Sequence, residues 1–247
     1  RFEPAGCEVL TGGGQLNAQG GALTYVVQTA EKTYASFTFT VRNPGGHSSA
    51  PRADNAIYEL AAALGRLRAF EFPIQWNETT LASFNNAAAA FPGADGDAMR
   101  RFAARPNDRA AQRTMARNPS ISTMMRTTCV ATMLGGGHAE NALPQTATAT
   151  VNCRIFPGVA VPDIQSELQA IAGPGVEVTP LGASSASDAS PLRADIMAAV
   201  TRAVHDGQAI GRTRFQADSN PLRFLVAHGT MDDRLDVSSQ NFIGRPT

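Results

Sequence analysis

The chain has 247 residues, carries 21 basic and 21 acidic side chains, and is 43% hydrophobic. Its length allows a substantial buried core, its balanced charge argues against binding nucleic acid, and no apolar run reaches the roughly 18 residues that a membrane helix needs. We therefore expect a soluble chain with no nucleic acid or membrane as partner, compatible with either the bacterial cytoplasm or the periplasm.

The first predicted strands follow a glycine-rich start. Residues 1–22 lack a sustained hydrophobic period, and they predict an irregular connecting segment. An apolar run at residues 23–27 predicts a short strand. Residues 34–41 then alternate, with Phe37, Phe39 and Val41 on one face, and this pattern predicts a half-buried strand.

A turn rich in proline, glycine and serine comes next, with a single histidine in it. Pro44 and the adjacent glycines suit a sharp reversal, and Ser48 and Ser49 can cap the amides that follow. Turn chemistry leaves His47 unexplained. A histidine in such a turn either donates a hydrogen bond to a developing oxyanion or is an ordinary exposed loop residue.

Two helical regions are predicted after this turn. Apolar residues recur at helical spacing between residues 57 and 67 and predict an amphipathic helix. Residues of about 69–122 are punctuated by prolines and predict an inserted helical segment. We expect the insert's six arginines to form a solvated face: Arg100, Arg101, Arg105, Arg109, Arg113 and Arg117.

The remaining elements complete a recognisable order. Residues 125–134 and 145–156 predict two strands of a long hairpin, followed by a helix at 162–172 and a strand at 176–178. The order is that of a ferredoxin-like β-α-β-β-α-β sandwich. We therefore predict an α+β fold over residues 23–181, in which a four-stranded antiparallel sheet carries two helices on one face and the helical insert is additional.

Residues 182–247 predict a low-complexity linker, one helix at 191–205 and an irregular tail, in which only residues 224–226 suggest a strand. The three cysteines, Cys7, Cys129 and Cys153, are too few for a disulfide framework. Cys129 and Cys153 would face each other if their segments pair as strands. Buried free thiols are the favoured interpretation, because unpaired cysteine is commonly a core residue.

Three segments read together resemble the dimerisation, or lid, domain of the M20 family of zinc-dependent metallopeptidases and amidohydrolases. They are the Asn-Pro-Gly-Gly-His-Ser-Ser-Ala-Pro-Arg turn, the Gly-Gly-His-Ala-Glu-Asn-Ala-Leu-Pro-Gln loop and the Ala-Thr-Ala-Thr-Val-Asn-Cys-Arg-Ile-Phe-Pro-Gly strand end. The resemblance covers about residues 23–205. It implies a lid that is inserted into a separate catalytic domain with two zinc ions, contributes to substrate binding and pairs with another subunit.

The resemblance also implies roles for three residues. His47 matches a lid histidine that stabilises the oxyanion in the partner subunit's active site, Asn141 a residue that orients the substrate, and Arg154 one that binds its terminal carboxylate. Each type suits its role, because imidazole and amide groups donate to oxyanions and a guanidinium matches a carboxylate. The residues alone leave two alternatives open: Asn141 shapes a turn, and Arg154 is a solvated strand residue.

The zinc ligands of that family have no match here. A dinuclear site needs several His, Asp and Glu ligands, and no such spacing occurs in this sequence. We therefore expect no metal or other cofactor in this chain and zinc in an intact parent enzyme. A site from scattered residues has no support in their spacing: Glu3, Glu8, His228, Asp232 and Asp233.

The sequence thus predicts the lid and dimerisation domain of an M20-type zinc hydrolase, catalytically incomplete alone. Its expected partners are a second copy of the lid, the parent's catalytic domain and a small peptide or amide substrate with a free carboxylate. Two alternatives remain. One is a non-catalytic homodimerisation module, and the other is a hydrolase with an unrecognised non-zinc site, for example Ser48 or Ser49 with His47, although no G-x-S-x-G motif supports it.

Overall fold

The computed structural model describes residues 12–16, 23–184, 188–199, 202 and 224–229. The strands are β1 (Gly12–Leu16), β2 (Leu23–Glu31), β3 (Thr33–Arg42), β4 (Gly46–His47), β5 (Thr128–Gly136), β6 (Ala142–Leu143), β7 (Thr146–Ile155), β8 (Val176–Leu181) and β9 (Phe224–Gly229). The helices are α1 (Ala56–Ala69), α2 (Glu78–Ala87), α3 (Ala94–Ala104), α4 (Arg109–Ala116), α5 (Pro119–Met124) and α6 (Val161–Ala172). None of the described helices is long and apolar enough to cross a membrane.

A four-stranded antiparallel sheet forms the centre of the fold, in the order β5-β7-β3-β8. Strand β3 pairs with β7 along its whole length, from Thr33 opposite Ile155 to Arg42 opposite Thr146. Strand β5 pairs with the other side of β7, and β8 with the other side of β3. This strand order and the connecting helices confirm the predicted ferredoxin-like sandwich.

One face of this sheet packs against α1 and α6. Phe37, Phe39 and Val41 of β3 are fully buried, as their alternation with polar residues predicts. Leu60 of α1 and Leu168 of α6 lie in the same core cluster. Burial contributes roughly 1.5–3 kcal/mol for each such side chain relative to an exposed one, so this face holds the sandwich together.

The predicted insert contains four short helices, α2 to α5, with a core of their own built around Phe84, Met99, Phe102 and Met115. Asn77, Asp108 and Asn118 start three of these helices by accepting backbone amides. The arginines of the insert lie on its surface, as predicted. Two pair with nearby aspartates, Arg100 with Asp97 and Arg101 with Asp108, and the other four are exposed: Arg105, Arg109, Arg113 and Arg117.

A second, three-stranded sheet corrects two predictions. Strand β1 is antiparallel to β2, and β9 is parallel to β2 on its other side. Residues 12–16 are therefore a strand within the stretch predicted to be irregular, and the strand suggested at 224–226 extends to 229. Both depend on pairing with β2, which the periodicity of each segment alone does not record. The rest of those two stretches lies outside the described residues.

The predicted helix at 191–205 is helical at 194–199 and 202, and residues 191–193 are not helical. The positions after 199, apart from residue 202, lie outside the described residues. On the amino-terminal side, the backbone N–H of Ser190 donates to the Thr29 carbonyl at 2.8 Å. This bond ties the segment after the sandwich to the end of β2.

Candidate functional site

The turn after β3 has a conformation that its sequence dictates. The Asn43 side chain accepts the backbone N–H of Gly45 at 2.9 Å and donates to the carbonyl of Asp54. Gly45 has φ 72°, and a Cβ built there would lie 2.6 Å from Cγ of Gln145 and 3.0 Å from the Leu143 carbonyl oxygen. A side chain is thus excluded at this position by both backbone conformation and space.

This turn joins the loop that carries Asn141. Gly46 lies opposite Leu143 and His47 opposite Ala142 in the short β4–β6 pair. The backbone N–H of Ser48 then donates to the Asn141 carbonyl at 2.9 Å. Residues 46–49 and Asn141 are exposed, whereas Ala142 and Leu143 are half-buried. The structure therefore brings together two of the three predicted site residues, His47 and Asn141, at one end of the sheet.

The ring of His47 is oriented by its own turn. Its Nδ1 lies 2.8 Å from Oγ of Ser49 and accepts the Ser49 backbone N–H at 3.2 Å. Because an amide N–H can only donate, Nδ1 is an acceptor, and a neutral ring carries its proton on Nε2. The exposed imidazole thus presents an N–H donor on the side away from the turn.

The Ser49 contact bears on the serine–histidine alternative. Ser49 does reach the imidazole, but it binds the same nitrogen with both its hydroxyl and its backbone amide, which is a local turn arrangement. Among the described residues no carboxylate contacts His47 to orient it as a base. The contact therefore positions the ring and does not build a catalytic triad.

Arg154 lies in a different environment. It is near the end of β7, between Tyr34 of β3 and Thr128 of β5. Its guanidinium carbon lies 4.7 Å from the centroid of the Tyr34 ring, within the range of a cation–π interaction. The side chain is half-buried, so the structure does not support the alternative of a merely solvated strand residue.

A buried lysine lies close enough to Arg154 to feel its charge, and no sequence motif marks it. Lys32 is 6% exposed, and its Nζ donates to the carbonyls of Thr123 and of Arg126, the latter at 2.6 Å. Burial, together with the positive charge of Arg154, lowers the pKa of Lys32 to about 8. Lys32 is the only lysine in the sequence, which is the one signal that could have marked it.

Arg126 is the other buried cation. One of its terminal nitrogens, Nη1, donates to Oε2 of the exposed Glu71 at 2.8 Å, and its Nε is buried without a hydrogen-bond partner among the described residues. Glu71 offsets the charge of Arg126, so Lys32 and Arg154 supply the positive charge at this end of the sheet. The arrangement suits an anionic group better than a neutral one.

The two ends of the sheet are far apart within one chain. Arg154 is eight residues along β7 from Thr146, the residue that pairs with the end of β3. At the usual strand rise this is about 27 Å, and the β4–β6 pair carries His47 and Asn141 further away. The three predicted residues therefore do not converge in one chain on a single small substrate.

The described residues contain no group of three or more His, Cys, Asp or Glu side chains that could hold a metal ion. This part of the chain does not fit a zinc centre, and none of the chemistry derived below passes through a metal held by it. The scattered candidates Glu3, Glu8, His228, Asp232 and Asp233 do not alter this result. Their side chains lie outside the described residues.

The two strand cysteines correct another prediction. Cys129 and Cys153 lie directly opposite each other in β5 and β7 and form a disulfide, with their Cα atoms 4.1 Å apart. The favoured interpretation of buried free thiols is therefore wrong for this pair. The frequency of buried cysteine favoured free thiols, but the register of the hairpin decides the outcome. Cys7 lies outside the described residues.

Comparison with known proteins finds relatives that match a little over half of this chain. The human N-fatty-acyl-amino acid synthase/hydrolase PM20D1 is 32% identical over 142 residues, which are 56% of this chain and 28% of that protein. The "Probable carboxypeptidase S-like 2" of Dictyostelium discoideum is 30% identical over 141 residues, 56% of this chain and 26% of that protein. The chain thus spans little more than a quarter of the length of these relatives.

A solved structure supports the fold. The M20 family metallo-carboxypeptidase Sso-CP2 from Sulfolobus solfataricus superimposes with a TM-score of 0.51 at 12% identity, covering 88% of this chain and 56% of that one. The family model of the peptidase dimerisation domain of M20 proteins matches residues 29–178, which include β3, the His47 turn, the insert, the Asn141 loop and Arg154. The chain therefore belongs to the M20 peptidase dimerisation domain family.

Proposed function

We propose that this domain is the lid of a zinc-dependent M20 hydrolase and that it completes active sites across a homodimer. In each site, His47 and Asn141 come from one chain and Arg154 comes from the other. The observation that carries this proposal is the separation of about 27 Å along β7 between the two groups. One small substrate cannot contact both groups in a single chain, whereas two chains can supply one group each.

The free edge of the sheet supports pairing between lids. Strand β5 is an edge strand, and residues 130–136 are all exposed. Three of these are apolar side chains with high exposed fractions, Val130 at 58%, Met133 at 69% and Leu134 at 73%. An exposed edge with apolar side chains pairs readily with another strand, so natural proteins usually cover or charge it.

Helix α1 extends the same surface. Ile57 and Tyr58 are 42% and 69% exposed, and a Cβ at Gly136 of β5 would lie 3.4 Å from Cγ1 of Ile57. A second copy related by a two-fold axis would bring β5 against β5 and α1 against α1. Such an interface is isologous, so each apolar residue meets the same patch of its partner.

The proposed chemistry assigns one task to each group. His47 donates its Nε2 hydrogen to the oxyanion that forms when the amide carbonyl is attacked, and Asn141 orients the substrate with its side-chain amide. A preorganised donor of this kind is worth about 3–4 kcal/mol in the transition state. Zinc, held by the catalytic domain and not by this chain, would supply the activated water.

Arg154 binds the carboxylate of the substrate. The charge of Lys32 adds to that of Arg154 in attracting an anion. The planar guanidinium matches the two carboxylate oxygens. The substrate class is therefore a peptide or amide beside a free carboxylate. The names of two relatives are compatible with this class, one referring to N-fatty-acyl-amino acids and the other to a carboxypeptidase.

Mixed dimers of the intact enzyme test the proposal. His47→Ala should lower kcat about 10²–10³-fold, and Arg154→Met should mainly raise KM, because it removes substrate binding. When the two variants are co-expressed, each mixed dimer contains one site with both groups intact. At substrate concentrations well below KM both single variants are nearly inactive. Since half of the dimers are mixed and one site in each works, activity measured there should return to about a quarter of the wild-type value.

Two control variants accompany the mixed dimers. His138→Ala changes a second exposed loop histidine and Arg117→Ala an exposed arginine of the insert, and both should leave turnover within about twofold. Failure of the mixed dimers to regain activity would overturn the trans arrangement. Wild-type turnover of His47→Ala would favour the non-catalytic dimerisation module, and loss of turnover in Ser49→Ala greater than in His47→Ala would favour the serine–histidine alternative.

A further inference from the structure

The disulfide between Cys129 and Cys153 lies at the start of β5, the edge strand through which two lids are proposed to pair. It joins the second residue of β5 to β7, and the two cysteines are separated by 24 positions in the sequence. Cys153 is fully buried in the core face of the sheet, and Cys129 packs against the same core from the edge strand. The bond therefore links the edge strand covalently to the centre of the sandwich.

Strand β5 has few other attachments. It pairs with β7 on one side only, and its register shifts between Ala131 and Met133. Residues 130–136 are exposed, and Cys129 is the β5 residue that packs against the core cluster. Burial therefore does little to hold this strand, so its hydrogen bonds to β7 and the disulfide hold most of it in place.

We propose that the redox state of Cys129 and Cys153 controls how firmly β5 is held in place. Strand β5 is the edge strand through which two lids are proposed to associate. In the oxidised state the disulfide holds β5 in the register that presents Val130, Met133 and Leu134. In the reduced state residues 130–136 open more often, and the lid associates more weakly. The effect on association rests on the homodimer proposed above, whereas the effect on the strand does not.

The chemistry of the switch is thiol–disulfide exchange. A thiolate of an external dithiol attacks one sulfur of the pair, forms a mixed disulfide and releases the other cysteine as a thiolate. The second thiol of the reagent then displaces the first cysteine. Two electrons and two protons pass to the protein, which ends with two thiols, and the reagent ends as a disulfide; oxidation by an external disulfide is the reverse.

Peptide mapping establishes the bond. Trypsin cleaves after Arg126 and Arg154, and no lysine or arginine lies between them, so one peptide, 127–154, contains both cysteines. In the full chain carrying Cys7→Ser, this peptide should weigh about 2 Da less without reductant than after reduction, as the loss of two hydrogens requires. Equal masses, with two free thiols in the unreduced chain, would overturn the proposal.

Hydrogen exchange then measures the strand itself. Reduction of the same chain should speed amide exchange in residues 130–136 by up to about a hundredfold, because the link no longer restricts opening of a loop of this length. Residues 37–41 of β3, which lie in the sheet centre, should not change. Unaltered exchange in residues 130–136 would show that the hydrogen bonds to β7 alone hold the strand. This result would overturn the proposal.

Sedimentation at several protein concentrations completes the test. The dissociation constant of the dimer should rise at least about tenfold on reduction, because a disordered edge must be ordered before it can pair. The double variant Cys129→Ala/Cys153→Ala should be insensitive to reductant. A chain that is monomeric in both states would refute the homodimer but not the strand effect, whereas a dimer of unchanged affinity would refute redox control of association.

Discussion

The two ends of the four-stranded sheet are built in contrasting ways. The turn end, residues 43–49 and 141–145, is held mainly by backbone hydrogen bonds and a side-chain bridge from Asn43, and it leaves His47 exposed. The opposite end, which we call the cation end, is held by side-chain contacts. It comprises Lys32, Tyr34, Arg126 and Arg154, of which Lys32 and Arg126 are buried and charged. His47 is thus exposed at one end, and Arg154 is half-buried at the other.

The two ends should therefore respond differently to mutation. At the turn end the contacts between the two segments use backbone atoms, so we expect the turn to keep its conformation whatever the side chain of residue 47. At the cation end Arg154 influences the protonation of Lys32, so the proposed substrate binding and the stability would depend on the same charges. We expect mutations to separate function from stability at the turn end and to link them at the cation end.

The largest expected effect concerns Lys32 and pH. Its pKa is about 8 in the folded chain and 10.5 ordinarily, so between these values the unfolded chain binds more protons and stability rises with pH. The rise should reach about 3 kcal/mol, since each pKa unit is worth 1.36 kcal/mol and the side chain is buried. Urea unfolding at pH 7 and pH 10 measures it.

The matched variant for that measurement is Lys32→Met, which keeps a chain of similar length without the titrating amine. Its free energy of unfolding should lack the rise between pH 8 and pH 10, while all other titrating groups remain the same. An equal rise in both proteins would mean that the charged lysine is not penalised in the fold. The cation end would then resemble the turn end electrostatically.

The next effect lies at the turn end. Gly45→Val should destabilise the chain by about 2 kcal/mol, because a branched side chain would be placed at positive φ against Gln145 and the Leu143 carbonyl. Gly65→Ala is the control, since it is exposed in α1 with nothing within 4 Å of a new Cβ. That change should stabilise the helix by roughly 0.5–1 kcal/mol. Equal changes in stability for Gly45→Val and Gly65→Ala would show that the backbone conformation at Gly45 does not determine the structure of the turn.

The sequence anticipates the parts of the fold that local pattern determines. Phe37, Phe39 and Val41 alternate with polar residues, and β3 buries them as predicted. The order of strands and helices then leaves the ferredoxin-like sandwich as the natural topology. Strand β1 was missed because its glycine-rich sequence has no hydrophobic period and it exists by antiparallel pairing with the neighbouring β2. Strand β9 was shortened because it pairs with β2 far away in sequence, which leaves no period to detect.

The site follows the same rule. The motifs identify His47, Asn141 and Arg154 as candidate residues. Their order along the chain does not indicate how far apart they lie in the folded domain. The separation of Arg154 from the other two follows from the β3–β7 register, and so does the disulfide, because the hairpin sets Cys129 against Cys153. Lys32 and Arg126 were missed for the same reason, because strand register places them at this end of the sheet: Lys32 precedes β3 and Arg126 precedes β5, and both strands pair with β7 next to Arg154.

A smaller effect should connect Arg154 to Lys32 directly. Arg154→Met removes the neighbouring charge and should raise the pKa of Lys32 above about 8, though not to its ordinary value, because burial is the larger cause of the shift. Lysine labelled with ¹⁵N at Nζ gives a single side-chain signal, since Lys32 is the only lysine. Arg117→Met is the control and should leave the pKa unchanged. An unmoved pKa in Arg154→Met would show that the two cations are not coupled.

The smallest expected effect completes the contrast. His47→Ala should change the free energy of unfolding by less than about 0.5 kcal/mol, as for other exposed substitutions, because the ring contacts only Ser49 of its own turn among the described residues. The β4–β6 pair and the Ser48–Asn141 bond use backbone atoms and survive the change. Thermal unfolding of both proteins measures this. A loss above about 1 kcal/mol would show that the imidazole holds the turn, and reduced turnover of that variant would then no longer isolate its part in the chemistry.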